Sequence, residues 1–311
     1  MFTFDVIGQI LWSSFANSSY AMLFALAFSL VLKVNGVFNF AQAAMMTAAF
    51  YGAFTMVAKL GLPGWAGFVV AQVLAIGAGM AIEWFGYRSL RLRRASPLFV
   101  FIFALILSEL VAYTTMLIFG TWPSTIFASL LWPVTLVGNI AISDWDIPAV
   151  LSALASCAAL FLFLRYTRPG QSMVAVADNA DLAELYGIDK ARIYVIAIAI
   201  AGSLVGLGMF LYGTRAQVQP MSAIELMLFA VIATIVGGIG NIWGAALSAL
   251  ALGIVQNSSV LFIPSEWQGL LIYILLFVAI IFFPNGVRLP SPRLGRQRTP
   301  TPVLTDDQPG S

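Results

Sequence analysis

Apolar residues run along this chain in long blocks, separated by short polar or glycine-rich stretches, with no strict alternation and no single repeated helical face. Crossing about 30 Å of hydrocarbon as a helix takes about 20 apolar residues, and in lipid every backbone polar group has to be paired within the segment. Helices are the economical solution. The blocks predict spans over 7–32, 38–58, 65–86, 97–119, 147–166, 193–212, 225–240, 242–260 and 267–283. The segment 225–240 is short for a span, and 225–260 is broken by glycines at 237, 238 and 240. The expectation is an all-α integral membrane protein with about 8–9 transmembrane helices, some broken or re-entrant.

Composition reinforces this reading. Of 311 residues 61% are hydrophobic and 9% charged, with a mean hydropathy of +0.95. Soluble domains carry roughly 25% charged residues, so water cannot solvate this surface on all sides. The net charge of +2 shows no bias toward nucleic acid. The chain contains no His, and Cys157 is the only Cys, which excludes a catalytic imidazole, a disulfide, a cysteine-type zinc site and Cys–His catalysis. The N-terminal Met1-Phe2-Thr3-Phe4-Asp5 has an acid and no basic stretch, so the first apolar block is expected to stay as an anchor.

The placement of charge matters more than its total. Lys33, Arg88, Arg91, Arg93, Arg94, Arg165, Arg168, Lys190, Arg192, Arg288, Arg293, Arg296 and Arg298 fall on one face of the span arrangement, 13 of the 15 basic residues, with Lys59 and Arg215 opposite. The positive-inside rule makes the crowded face cytoplasmic, with the N-terminus outside and the C-terminus inside. This sorting requires 225–260 to be two segments turning near Gly237–Gly240. One transmembrane domain is expected over 1–286, carrying a cytoplasmic loop at 167–191, followed by a proline-rich, disordered cytoplasmic tail over 287–311.

No G-x-x-x-x-G-K-[ST] motif is present, so the chain is not expected to bind ATP itself, and no metal site or catalytic residue is expected. Gly202/Gly206 and Gly240/Gly244 have small-xxx-small spacing, which permits close helix contact. Three segments depart from simple spanning. In Asn35-Gly36-Val37-Phe38-Asn39-Phe40-Ala41-Gln42, polar residues and a glycine interrupt two apolar runs. They form either a capped interhelical turn, or a place where Asn39 and Gln42 line a cavity or fasten re-entrant backbone. Gly237, Gly238, Gly240 and Gly244, with Asn241 among them, form a break expected to turn against other helices, close to a translocation path. In the loop at 167–191, Asp178 or Asn179 suits an N-cap and Gly187 a helix stop. Leu182, Leu185 and Tyr186 lie between them at i, i+3, i+4, alongside Ala183, giving a two-turn amphipathic helix. So short a helix needs a surface to dock on. Asp181 and Glu184 on its polar side disfavour an anionic bilayer, so a protein groove is the better partner.

Two further features are ambiguous. Glu109 lies mid-span, where an acid is costly and is either functional or a hydrogen-bonded structural group. Tyr20, after Asn17, Ser18 and Ser19, adds a polar stripe suited to a solute path or to interhelical hydrogen bonds. Glu83 is expected to pair with Arg88 or a neighbour.

In this order, over about 17–286, these segments resemble the H-type (LivH-like) permease subunits of the branched-chain amino acid ABC importers. Tyr20-Ala21 and Asn39-Phe40-Ala41 look like that family's Y-A-L and N-F-A-H-G segments. Ala175, Asp178, Asn179, Ala183, Leu185, Gly187 and Ile188 are similar to its coupling loop. Gly237-Gly238-Ile239-Gly240, Gly244-Ala245 and Pro284-Asn285-Gly286 match its C-terminal pattern. Departures are Gln42 and Ala43 for His and Gly, Val174 for Arg before the coupling-loop Ala, and Phe283 for Arg before the terminal Pro.

The resemblance implies an ABC importer permease fold in the bacterial inner membrane. It also implies a second, M-type permease, two cytoplasmic ATPases that hold ATP and Mg, and an extracytoplasmic solute-binding protein as partners. The solute would be a branched-chain amino acid or a related small polar molecule such as urea, a short amide or an aromatic acid. The competing classes are a secondary transporter with Glu109 as an intramembrane ion site, and a membrane-embedded enzyme. The absence of His and the scarcity of buried acids count against both.

Overall fold

The computed structural model describes residues 4–127, 132–137 and 140–259 and isolated positions between 264 and 281, with side chains from Gly8 onward. Helix α1 (Phe4–Asn35) is the axis of the fold. Of its most apolar window 83% is buried, against 28% for each of Gly64–Leu92 and Pro97–Phe119, 22% for Asp146–Tyr166 and 61% for Lys190–Gly213. It packs against helices contributed by the second half of the chain. These include α6 (Asp146–Tyr166), α9 (Lys190–Gly213), α10 (Ser222–Gly237) and α11 (Ile242–Ser259).

Among the described residues, five helices are long and apolar enough to span a bilayer: Gly8–Asn35 within α1, Gly64–Leu92, Pro97–Phe119, Asp146–Tyr166 and Lys190–Gly213. Gly64–Leu92 comprises α3 (Gly64–Ala81), a π turn at Ile82–Tyr87 and α4 (Arg88–Leu92), and Pro97–Phe119 is α5. Helix α2 (Gln42–Phe54) is shorter and runs on through a second π turn, Thr55–Lys59. The predicted spans thus correspond to helices from 7–32 through 242–260. The predicted span 267–283 has only scattered described positions, and the tail 287–311 lies outside the described residues.

The chain bends by 117° between α10 and α11, which lie packed together after Gly237–Asn241. Segment 225–260 is therefore two segments, as the charge sorting requires. Cβ atoms on Gly202 and Gly206 of α9 would lie 2.9 Å from Ile76 Cα and 3.1 Å from Gln72 Cα of α3, so these two helices touch backbone to backbone. That is the close contact their spacing predicts. The pair Gly240/Gly244 behaves differently from its reading as a helix-contact spacing, because Gly240 sits in the turn at φ +85° with open space around its Cβ position. The close approach is instead between Gly237 and Gly244, whose Cβ atoms would land on each other's backbone carbonyl groups.

Between α5 and α6 the described residues include short strands. They form an antiparallel hairpin, β1 (Val134–Val137) with β2 (Ile140–Ser143), Val137 facing Ile140. Gln9 of α1 grips β2 at Ala141: its Nε2 donates to the carbonyl at 3.1 Å and its Oε1 accepts from the amide at 2.7 Å.

Candidate functional site: re-entrant segment, glycine break and coupling loop

After Asn35 the chain turns back at Gly36 (φ +66°) and stays non-helical through Phe40. Gln42, at the start of α2, donates from Nε2 to the carbonyl of Phe24 at 3.1 Å. Phe24 lies eleven residues inside the end of α1, roughly 16 Å along its axis at 1.5 Å per residue. The segment is thus non-helical backbone folded back along α1 and enclosed by protein, the condition under which irregular backbone is tolerated in a membrane protein. Asn39 is 1% exposed and its Oδ1 accepts a 2.6 Å hydrogen bond from the Tyr87 hydroxyl, itself fully buried. Asn39 and Gln42 are sealed among helices and line no opening. Of the two roles weighed for them, fastening backbone fits and lining a cavity does not. Tyr87 reaches Asn39 because the π turn at Ile82–Tyr87 adds an extra residue to that helical stretch, and spacing alone did not signal this partner. Replacing Tyr87 with Phe leaves a buried amide oxygen unsatisfied, and a loss of about 1–3 kcal/mol is expected in thermal unfolding of the purified protein.

The other path candidates do not converge. The Tyr20 ring stacks edge-on against Tyr212 of α9 at 4.9 Å. Glu109 lies half-buried on α5, whose main helical neighbour is α2, away from Tyr20. No hydrogen bond or ion pair involves Glu109 among the described residues. Asn241 caps α11, its Oδ1 accepting from the Gly244 amide at 3.1 Å. Its amide nitrogen donates to the Gly238 carbonyl at 2.9 Å, so it closes the glycine turn. Gly238 (φ +95°) and Gly240 (φ +85°) supply the left-handed backbone that the turn needs.

The loop at 167–191 holds two helices where one was expected. Helix α7 (Arg168–Asp178) begins at Thr167, whose Oγ1 accepts from the Gly170 amide at 3.1 Å. It buries Gly170, Met173 and Val176 against the bundle. Thr167-Arg168-Pro169, a cap followed by an early Pro, was the available signal. Helix α8 (Ala180–Leu185) is capped by Asn179, which accepts from the Leu182 amide at 2.9 Å, while Asp178 ends α7. The N-cap is thus Asn179 and not Asp178. Tyr186 lies just beyond the helix and Gly187 turns at φ +83°, with the Ile188 amide returning to the Ala183 carbonyl at 3.1 Å. Lys190 pins the polar side, 2.6 Å from Glu184 and 3.5 Å from Asp181. Ala183 is buried against the protein, whereas Leu182, Leu185 and Tyr186 are 50%, 84% and 82% exposed. A rigidly framed apolar stripe therefore projects from the end of the molecule where basic residues gather. Arg91 packs over Tyr194 at 4.5 Å, and the α1 terminus joins the same end through Asn35.

At the opposite end an ion pair sets the frame. Asp146, 4% exposed, lies 2.5 Å from Arg215 and accepts from Trp12 Nε1 and the Ser143 amide at 3.1 Å each. It joins α1, the hairpin, α6 and the end of α9. A lone Arg on the sparsely charged face was the sequence signal that it would be paired. The other basic residue there, Lys59, sits over the Phe119 ring at 4.4 Å. Glu83 pairs with Arg91, one turn beyond the Arg88 considered first.

Residues 10–280 match the family described as branched-chain amino acid transport system / permease component. The high-affinity branched-chain amino acid transport system permease protein LivH of Escherichia coli is 28% identical over 286 residues, covering 87% of this chain and 91% of that protein. BraD of Pseudomonas aeruginosa, a permease protein of the same description, is 24% identical and covers 87% and 92%. Among solved structures, PsaBC from Streptococcus pneumoniae in complex with Fab superposes with a TM-score of 0.48 at 12% identity, over 86% of this chain and 89% of that one. With the family match running from the first span through the last apolar block, the chain belongs to the branched-chain amino acid permease family and is a multi-pass membrane subunit of an ABC transporter.

Proposed function

We propose that this chain forms half of the translocation path of an importer for branched-chain amino acids or a closely related small polar solute. The other half is a second permease of the M type. Two cytoplasmic ATPases hold ATP and Mg, and an extracytoplasmic binding protein selects and delivers the solute. The chain sits in the bacterial inner membrane with its N-terminus outside and its C-terminus inside. The observation that carries this reading is the α8 stripe: Leu182, Leu185 and Tyr186 exposed on a helix locked by Asn179, Gly187 and Lys190. A helix seated in an ATPase groove acts as a lever, and its displacement tilts α6 and α9, the spans on either side of the loop. Purification through a tag on this chain tests the assembly: two ATPases and a second permease are expected in stoichiometric yield, and recovery of the chain alone overturns the proposal.

Orientation and Glu109 supply two further tests. A reporter fused after Ser311 should read cytoplasmic and one inserted near Ser129 extracytoplasmic; both on one side contradicts the topology. Glu109→Gln keeps size and hydrogen bonding and should leave most uptake intact, whereas an ion-coupling carboxylate would make that variant inactive despite normal assembly.

A further inference from the structure

A cavity of about 880 Å³ opens at the basic end of the bundle, between the terminus of the α3–α4 helical stretch and the first turns of α9. Its walls divide by chemistry. Trp84, Leu92 and Ile196 are apolar, and Arg88, Lys190 and Arg192 are cationic. Trp84 and Leu92 are 58% and 77% exposed. At its inner edge Arg91 pairs with Glu83, which is 2% exposed, while Arg91 Nη1 and Glu83 Oε2 have no hydrogen-bond partner among the described residues.

The acids along the wall are spoken for as well: Arg192 lies 3.0 Å from Asp189, and Lys190 bridges Asp181 and Glu184. Arg88 is different. It has no ion pair among the described residues and rests on the Trp84 ring at 4.8 Å, with Arg93 and Arg94 in the turn that follows α4. An uncompensated guanidinium beside exposed Trp and Leu, at the level where a span leaves the hydrocarbon, suits a ligand that is anionic at one end and apolar at the other. Basic pockets between transmembrane helices on the cytoplasmic side bind acidic lipid headgroups, and tryptophan is favoured at this interface.

We infer that this pocket holds an anionic phospholipid of the cytoplasmic leaflet, its phosphate facing Arg88 and its acyl chains lying along Trp84, Leu92 and Ile196. The inference rests on the proposed orientation, which makes the basic end cytoplasmic. The site also meets the loop machinery, because Lys190 both lines the pocket and holds α8.

Native mass spectrometry of the purified complex, titrated with phosphatidylglycerol or phosphatidylcholine, tests it. One tightly retained phosphatidylglycerol per copy of this chain is expected, with phosphatidylcholine not retained. Each basic contact near an anionic headgroup is worth about fivefold in affinity, so Arg88→Gln should weaken retention about fivefold. Arg88→Lys, which keeps the charge, Arg192→Gln, whose guanidinium is already paired with Asp189, and Arg165→Gln, at the same end but outside the pocket, should retain the lipid. Equal retention of phosphatidylcholine, unchanged retention in Arg88→Gln, or displacement of the lipid by inorganic phosphate overturns the inference. Copurification of the ATPases is scored on the same sample, so failure of the importer reading is distinguishable from failure of the lipid site.

Discussion

Leu185→Asp is expected to abolish transport while leaving the permease at normal abundance in the membrane. The side chain is 84% exposed, so the change removes no packing from this chain, and its fold should not register it. In the proposed assembly the same side chain would enter an apolar groove of the ATPase, where burying a Leu contributes about 1.5–3 kcal/mol. Asp removes that contribution and puts an unpaired carboxylate in its place, which costs more than a two-turn docking helix gains. The expected signature is loss of ATPase association and loss of hydrolysis stimulated by the loaded binding protein. Glu184→Gln is the internal control. It breaks a pair with Lys190 whose partners are 57% and 35% exposed, and exposed pairs are worth about 0–1 kcal/mol, so coupling should persist. Normal coupling in Leu185→Asp, measured as stimulated ATP hydrolysis in proteoliposomes, assigns the coupling surface elsewhere.

Gly237→Leu should prevent accumulation of folded protein altogether. At this position a Cβ would land on the Gly244 carbonyl, with α10 and α11 pressed together across the 117° bend. Backbone cannot yield as a side-chain tip can, and overpacking of this kind costs at least about 1–3 kcal/mol. Gly240→Leu is the informative comparison. Nothing lies within 4 Å of its Cβ position, and the penalty is the left-handed φ of +85°, about 1–2 kcal/mol. Gly240→Leu should therefore assemble partially, Gly240→Asn better, and Gly237→Ala worse than either. Fluorescence-detected size exclusion of the variants reads this order, and equal profiles for Gly237→Leu and the unmodified protein would show that the break is loose.

The spans were legible because lipid imposes a length and an unbroken apolar composition on each helix. The break at Gly237–Gly240 was legible because charge sorting required 225–260 to be two segments. Local signals also marked α8, through Asn179 and Gly187. What escaped depended on contacts distant in sequence. Asn39 and Gln42 looked equally suited to a path or a fastening, and only the Tyr87 hydroxyl and the Phe24 carbonyl, 48 and 18 residues away, separate the two. The glycine contact was assigned to 240 and 244 by spacing, whereas folding back across a turn brings 237 against 244. Helix α7 went unseen because Gly170 and a mixed polar face obscured the Met173–Val176 stripe. The hairpin was hidden by the short length of its strands, four residues each.

The central claim is that ATP hydrolysis on partner subunits, transmitted through α8, drives this permease. Solute uptake by proteoliposomes holding the complete complex, loaded binding protein and ATP measures it most directly, with vanadate and a protonophore applied in separate arms. Uptake abolished by vanadate and unaffected by the protonophore is the predicted result. Uptake that survives vanadate but collapses with the protonophore while ATP is constant would contradict it.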